Sequence, residues 1–337
     1  MCSSKMSGLW NSTVMSKLLY AMLPGLLCVL CLSSAAETWQ HTLTVAAQDG
    51  EVLLTENEKP VLRYRYADVP RKPYLLEWFA SGGENILRDA PADHLHHHGL
   101  MFAITVDDVN FWEEYETGGY QVHKGITKTW TISGTESPSA GFNELLEWRG
   151  PANNTPYLRE ERRLVHHAQP NAPYRLLTWQ STLSTTNDRP EVILSGTVYH
   201  GLGMRFTEWM DGGEDREPVF LLAPDVTEEW EEDTIHRFAK ASWVAYTVEG
   251  PQGQQRIVAM FNNPDNPRPA TWFMMVAPFG YLSATIDLGR DPLPLGNGET
   301  LRLRYGVAVW DDAVDAATIE SAYADWQAQL PEVLPEE

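Results

Sequence analysis

From Thr42 to about Trp310, short apolar or alternating runs recur between clusters of Gly, Pro, Asn and Asp. Alternation places every second side chain on one face of a strand, and the turn-forming residues end each strand after a few positions. Val61-Leu62-Arg63-Tyr64-Arg65-Tyr66, Lys128-Thr129-Trp130-Thr131-Ile132 and Leu301-Arg302-Leu303-Arg304-Tyr305-Gly306-Val307 keep this period of two. Arg256-Ile257-Val258-Ala259-Met260-Phe261 is instead almost continuously apolar, as expected of a strand covered on both faces. The pattern predicts an all-β chain built as a large antiparallel β-sandwich. One segment departs from it: between about Val314 and Leu330, the residues Ile319, Ala322, Tyr323, Trp326 and Leu330 recur at helical spacing. They predict a C-terminal helix packed on the sheets. With no internal repeat and no linker, residues 37–337 are expected to form a single domain.

The first 36 residues follow a different rule. Lys17 precedes the apolar runs Leu18–Leu23 and Leu26–Leu32, and Ser33-Ser34-Ala35-Ala36 closes the segment. This is the charged, apolar, small-residue order of a secretory signal peptide, with cleavage expected after Ala36 and Met15 as an alternative start. Pro24-Gly25 breaks the apolar stretch short of the roughly 20 residues a membrane span needs. A periplasmic or secreted location follows as an expectation. Cys2, Cys28 and Cys31 all lie in this segment, so the mature chain would hold no thiol.

The chain carries 25 Lys and Arg against 46 Asp and Glu, a net charge of −21. Removing Lys5 and Lys17 with the leader leaves 23 against 46, or −23. Such acidity disfavours nucleic acid and anionic membranes as partners. Eleven of the carboxylates fall between Glu208 and Asp233, without the regular spacing of a calcium loop, and are expected to form a solvated surface stretch.

The chemistry concentrates in Asp93-His94-Leu95-His96-His97-His98-Gly99, which holds four of the ten histidines. Arg88-Asp89-Ala90-Pro91 precedes it and the apolar Leu100–Ile104 follows, so the cluster reads as a loop entering a buried strand. Proton transfer on a sugar requires an acid/base and a cation near the developing negative charge. His94 and His97 are candidates for the first role; Arg88, Lys72 and Arg205 are candidates for the second. His96 or His98 could equally pack beneath the loop, and a structural role is expected for His41, His123, His166, His167 and His236. Asp93 with His94, His96 or His98 could supply metal donors. No glutamate follows within residues 99–112 to complete a cupin-like set, and no metal is assigned. Glu113, Glu114 and Glu116 could include a carboxylate pair for glycoside hydrolysis or form a solvated turn. The tryptophans, among them Trp78, Trp112, Trp148, Trp209, Trp230 and Trp272, are spread along the chain as expected for core residues. One or two beside the histidines could stack on a sugar. With no phosphate-cradling glycine loop, nucleophile elbow or zincin motif, no cofactor is expected.

Lys72-Pro73-Tyr74, Leu87-Arg88-Asp89, the histidine block through Phe102, and Asp108-Val109-Asn110-Phe111-Trp112 together resemble the PmoA family. Its members form a poorly characterised exported family labelled methane oxygenase. Gly201–Arg205, Trp243–Tyr246, Asn263–Arg268 and Leu301–Tyr305 extend the resemblance, in order, along nearly the whole mature chain. The membrane methane monooxygenase subunit of that name is a multi-span helical protein, whereas nothing after residue 36 here could span a bilayer as a helix. The resemblance implies instead a β-supersandwich of the galactose-mutarotase type, shared with several polysaccharide lyases. It implies a carbohydrate-active enzyme of lyase, hydrolase or epimerase type, with Asn110, Trp112, Arg205 and Asn263 binding the sugar or glycan. The chain departs from the family pattern at His98, His200 and Asn263. A non-catalytic carbohydrate-binding sandwich and a metal-dependent oxygenase, as the label suggests, are the alternatives.

Overall fold

The computed structural model describes residues 42–333 apart from 136, 152–155, 170–171, 214–215, 232–234 and 251–252. The expected signal peptide lies outside the described residues, as does part of the acidic stretch. The described strands form an antiparallel ten-stranded sheet, an eight-stranded sheet and a small four-stranded sheet. Side chains of the two large sheets meet between them. Tyr64 lies 5.1 Å from Phe142, Phe102 lies 5.9 Å from Trp148, and Phe206 stacks on Tyr246 at 4.5 Å. The protein is therefore a large antiparallel β-sandwich.

The observed strands follow the hydrophobic pattern. Lys59–Arg65 and Thr300–Trp310 contain the alternating runs, and Gln255–Asn262 is buried on both faces from Arg256 onward. The Lys128–Ile132 alternation behaves differently. It lies in Tyr120–Ile132, the end strand of the eight-stranded sheet, and is largely exposed. Trp130, half-buried against the edge of the core, is also covered by the cations of Lys128 and Arg163, 5.9 and 5.2 Å from the ring centroid.

The helix spans Ala316–Val333. Asp315 caps it, its Oδ1 accepting the Thr318 N–H at 2.9 Å and the Thr318 hydroxyl at 2.7 Å. All five residues of the expected apolar face are buried. Trp326 donates to Thr178 at 2.8 Å and Tyr323 donates to the Asn262 carbonyl at 3.1 Å. These contacts dock the helix on the outer face of the eight-stranded sheet, because the neighbouring Trp179 points the other way, towards Tyr64 and the other sheet.

The sandwich interior also contains a charged network. Arg162, fully buried, donates to both Glu160 oxygens at 2.8 and 2.9 Å, to Gln121 at 2.9 Å, to the Tyr64 hydroxyl at 2.8 Å and to the Pro73 carbonyl at 2.9 Å. Glu160 also accepts from Trp148 at 2.8 Å and Ser181 at 2.6 Å. Tyr64 donates to Glu144, which also bonds His123. A buried guanidinium is tolerable when its donors are satisfied in this way.

Candidate functional site

The histidine loop leads into the Leu100–Ala103 strand. This strand pairs with Gly201–Arg205, which pairs with Tyr281–Thr285, which pairs with Thr271–Met275. Leu202 and Phe102 point into the sandwich, so Gly203, Tyr281, Phe273 and Met275 face the other way. Gly99 makes the junction between loop and strand. Its φ is +40°, and a Cβ there would lie 2.1 Å from the Leu75 carbonyl oxygen, so glycine is required on both counts.

A cavity of about 350 Å³ opens on this outward face. His94, His96 and His97 form one side; Glu113, Tyr115 and Tyr199 a second; and Ile235, His236, Phe273, Met275, Pro278, Phe279 and Tyr281 complete it. His94 stacks on His97 at 4.7 Å, His97 stacks on Tyr281 at 5.1 Å, and Phe279 meets His94 edge-on at 4.8 Å.

His94 is partly exposed and its Nδ1 faces the Asp93 carboxylate at 3.1 Å. Asp93 in turn accepts from Arg205 at 3.2 Å. Burial works to raise the Asp93 pKa, but the His94 hydrogen bond and the Arg205 charge outweigh it and hold the carboxyl below its usual range. An ionised Asp93 accepting from Nδ1–H leaves the lone pair on Nε2 of His94. His97 differs: burial, reinforced by the neighbouring His96, His94 and Arg205, lowers its pKa to about 2, so the ring is neutral. Its Nδ1 and the Tyr281 hydroxyl are buried without a protein partner.

Glu113 is 6% exposed rather than part of a solvated turn. It accepts from Tyr199 at 2.7 Å and from Asn110, with His200 Nε2 at 3.6 Å. Burial would raise its pKa, but His200, Tyr199 and Asn110 bring it down to about 2. Burial and this carboxylate in turn push the Tyr199 hydroxyl up, so it remains a donor. Asn110 organises the turn, its Oδ1 accepting the N–H groups of Trp112 at 2.7 Å and Glu113 at 3.0 Å. It thus acts on the pocket through Glu113.

Other expected site residues stand behind the pocket or away from it. Lys72 is completely buried and donates to Glu114 at 3.0 Å, and burial lowers its pKa. The same Glu114 oxygen bonds His98 Nε2 at 3.0 Å, while His98 Nδ1 bonds Asp89 at 2.7 Å and Tyr74 covers the ring at 4.4 Å. His98 therefore ties the histidine loop to the Asn110–Glu114 turn, Lys72 ties its own segment to the same glutamate, and neither lines the cavity. Arg88 donates to Asp211 at 3.2 Å. Arg205 lies over the Phe279 ring at 3.5 Å, is 2% exposed, and supports Asp93. Trp112 is fully buried with His200 stacked on it at 5.3 Å, leaving no open face for a sugar. Asn263 is also buried and lies outside the cavity; its Oδ1 accepts the Asp265 N–H at 2.7 Å in a local turn.

Sequence reasoning passed over Tyr199, Tyr281, Phe273 and Phe279, and assigned His236 a structural role although it lines the cavity. The adjacent acids Glu113 and Glu114 were the available sign of this half of the site, but a run of carboxylates does not reveal which one turns inward. Among the described residues, no group of three or more His, Cys, Asp or Glu side chains is arranged to hold a metal ion.

Fold and site together define an antiparallel β-sandwich with a histidine- and aromatic-lined pocket on one sheet. A family profile described as a family of unknown function, DUF6807, matches residues 51–324, and the chain belongs to that family. No curated protein matches it. Among solved structures, it is similar to a galactose mutarotase related enzyme from Lactobacillus acidophilus, with 10% identity and a TM-score of 0.42 over 81% of this chain and 100% of that one. It is also similar to a beta-arabinopyranosidase, with 9% identity and a TM-score of 0.40 over 74% of this chain and 39% of that one. Each likeness concerns the fold alone.

Proposed function

We propose that this chain, whose motifs resemble the PmoA family, is an exported carbohydrate-active enzyme that binds an uncharged sugar in the 350 Å³ pocket and moves a proton on it through His94. One observation carries the reading: the ionised Glu113 and its partner Tyr199 share a cavity with the imidazoles of His94 and His96 and the rings of Phe273 and Phe279. Its volume lies within the range of small-molecule sites. Aromatic faces suit the C–H face of a pyranose, while a carboxylate and hydroxyls suit its O–H groups.

The charges favour a neutral substrate. No lysine or arginine lines the cavity among the described residues, and Glu113 brings a negative charge, so an acidic sugar would meet repulsion without a compensating cation. This differs from the expectation that Lys72, Arg88 or Arg205 faces the substrate: Lys72 ties down Glu114, Arg88 bonds Asp211, and Arg205 supports Asp93. His94 serves as base through Nε2, with Asp93 holding Nδ1. The neutral His97 accepts or donates a hydrogen bond without adding charge.

The test is a calorimetric and turnover screen of neutral monosaccharides and glycosides beside the matching uronates. Neutral sugars should bind and be turned over, and uronates should be neither turned over nor able to compete with them for this pocket. His94→Ala should lower turnover by about 10²-fold or more, the scale of general acid/base catalysis, with sugar binding retained. Absence of any sugar binding would overturn the reading. So would full activity in His94→Ala, or activity lost to a chelator and restored by one particular metal.

A further inference from the structure

A second cavity, of about 210 Å³, is lined by Glu56, Asn57 and Lys59 beside His166, Tyr174 and Arg175. The first three belong to the hairpin joining Glu51–Glu56 to Lys59–Arg65; the others come from strands Pro156–His167 and Tyr174–Thr185. The cavity shares no lining residue with the sugar pocket.

Arg175 is the unusual member. It is 7% exposed, and among the described residues its hydrogen bonding is confined to Nη1, which donates to the Pro60 carbonyl at 3.2 Å. A guanidinium carries five N–H donors in a rigid fork, and a buried arginine ordinarily pairs with a carboxylate. Here Glu56 and Asp311 act on it only at longer range. None of its nitrogens is sealed in protein without a partner, so the unused donors open towards the cavity that Arg175 lines. Lys59 is exposed at the same cavity and forms no ion pair among the described residues. His166, 1% exposed, faces Glu56 through Nε2 at 3.3 Å, and its Nδ1 is buried without a partner. Two cations without ion pairs among the described residues, at one small cavity, run against the net charge of −21.

We propose that this cavity binds a small oxyanion group, carboxylate or sulfate-like, held by the fork of Arg175 with Lys59 as the second cation. The planar fork matches two oxygens of such a group at once. Glu56 limits the site to a group of low charge, since a second carboxylate-like charge close to it would be repelled. The volume admits the anionic group and little more, so the group is either a free ion or a substituent on a sugar held at the mouth.

The experiment follows the arginine side-chain N–H resonances of the full mature chain during titration with sulfate, phosphate and acetate, at constant ionic strength set by chloride. Glucuronate and glucose 6-sulfate form the arms for a sugar-borne group. Saturable shifts of Arg175 with at least one oxyanion, absent with chloride, are expected, together with a rise in Tm. Arg175→Gln should abolish the oxyanion-dependent rise in Tm, and a rise that persists would overturn the proposal. Lys59→Glu, at an exposed position that leaves the fold undisturbed, should weaken affinity by about tenfold, the scale of a lost charge-assisted contact. Tighter binding of the sugar acids than of the inorganic ions would assign the site to a glycan; equal or weaker binding would assign it to a free anion. Shifts that do not saturate, an equal response to chloride, or an unchanged affinity in Lys59→Glu would overturn the proposal.

Discussion

His97 and His167 show how far burial, reinforced by neighbouring charge, lowers the pKa of a histidine. Burial and the adjacent His96, His94 and Arg205 hold His97 to about 2, while burial and His166 hold His167 to about 3. Both values lie below that of an unfolded histidine, so the fold keeps these rings neutral and the unfolded chain takes up their protons first. Their contribution to stability is complete above about pH 6.5 and falls as pH drops. The slope is about 1.4 kcal/mol per pH unit for each group. His98 works in the opposite sense. Burial pulls its pKa down, but the bonds to Asp89 and Glu114 prevail and raise it, so its contribution is complete below the unfolded value and is lost as pH rises through the raised one. Urea unfolding between pH 6 and 5 follows the first effect, which His96 and His166 share because burial lowers them too, while His98 approaches full charge in both states. Stability should fall across that window, and His167→Gln should remove about one group's share of the slope. An unaltered slope in both His167→Gln and His97→Gln would show that other groups govern the acid response.

At the level of elements, the pocket depends on how closely strands and turns approach one another. Gly203 faces Tyr281 and Trp112: a Cβ at this position would lie 1.9 Å from the Tyr281 hydroxyl and 2.6 Å from the Trp112 ring. Gly203→Ala must therefore displace the pocket wall. A cost of about 1–3 kcal/mol is expected for such overpacking, with sugar affinity reduced. Gly213→Ala, where nothing lies within 4 Å of the added carbon, serves as the control. Thermal unfolding and sugar titration of the two variants should separate; indistinguishable results would mean that the Tyr281 wall yields freely. The Asn110 turn shows the same dependence, since one side-chain oxygen accepts two N–H groups and so sets where Glu113 enters the pocket.

For the whole molecule, the charged network around Arg162 joins the sheets. Tyr64 and the Pro73 carbonyl belong to the ten-stranded side, and Glu160, Gln121 and Arg162 to the eight-stranded sheet. Removing the cation leaves Glu160 buried with fewer partners and takes a nearby positive charge from Glu144. Arg162→Met should cost about 3–5 kcal/mol, the penalty for breaking a buried pair from one side, and should lower the denaturant midpoint. A cost below about 1 kcal/mol would show that water or rearranged neighbours replace the guanidinium. Because the network reaches both sheets, fluorescence of the tryptophans and far-ultraviolet dichroism should report one shared transition in the wild-type chain.

The period of two, the turn residues and the helical spacing near the C-terminus were enough to determine the antiparallel sandwich and the buried face of its helix. These are local consequences of where successive Cβ atoms point. The histidine loop was legible for a similar reason, since its residues are neighbours in the chain. Sequence could not show that Lys72 and His98 would turn away to clasp Glu114 while Glu113 turned inward. Nor could it bring Phe273, Phe279 and Tyr281 opposite His94 and His97, because alternation reveals the face a residue occupies but not which strand becomes its neighbour. Tertiary structure decided the pairing of Leu100–Ala103 with Gly201–Arg205 and of that strand with Tyr281–Thr285. It also decided the charge states, because the desolvation that neutralises His97 and the contacts that keep Glu113 ionised exist only after distant segments have closed around them.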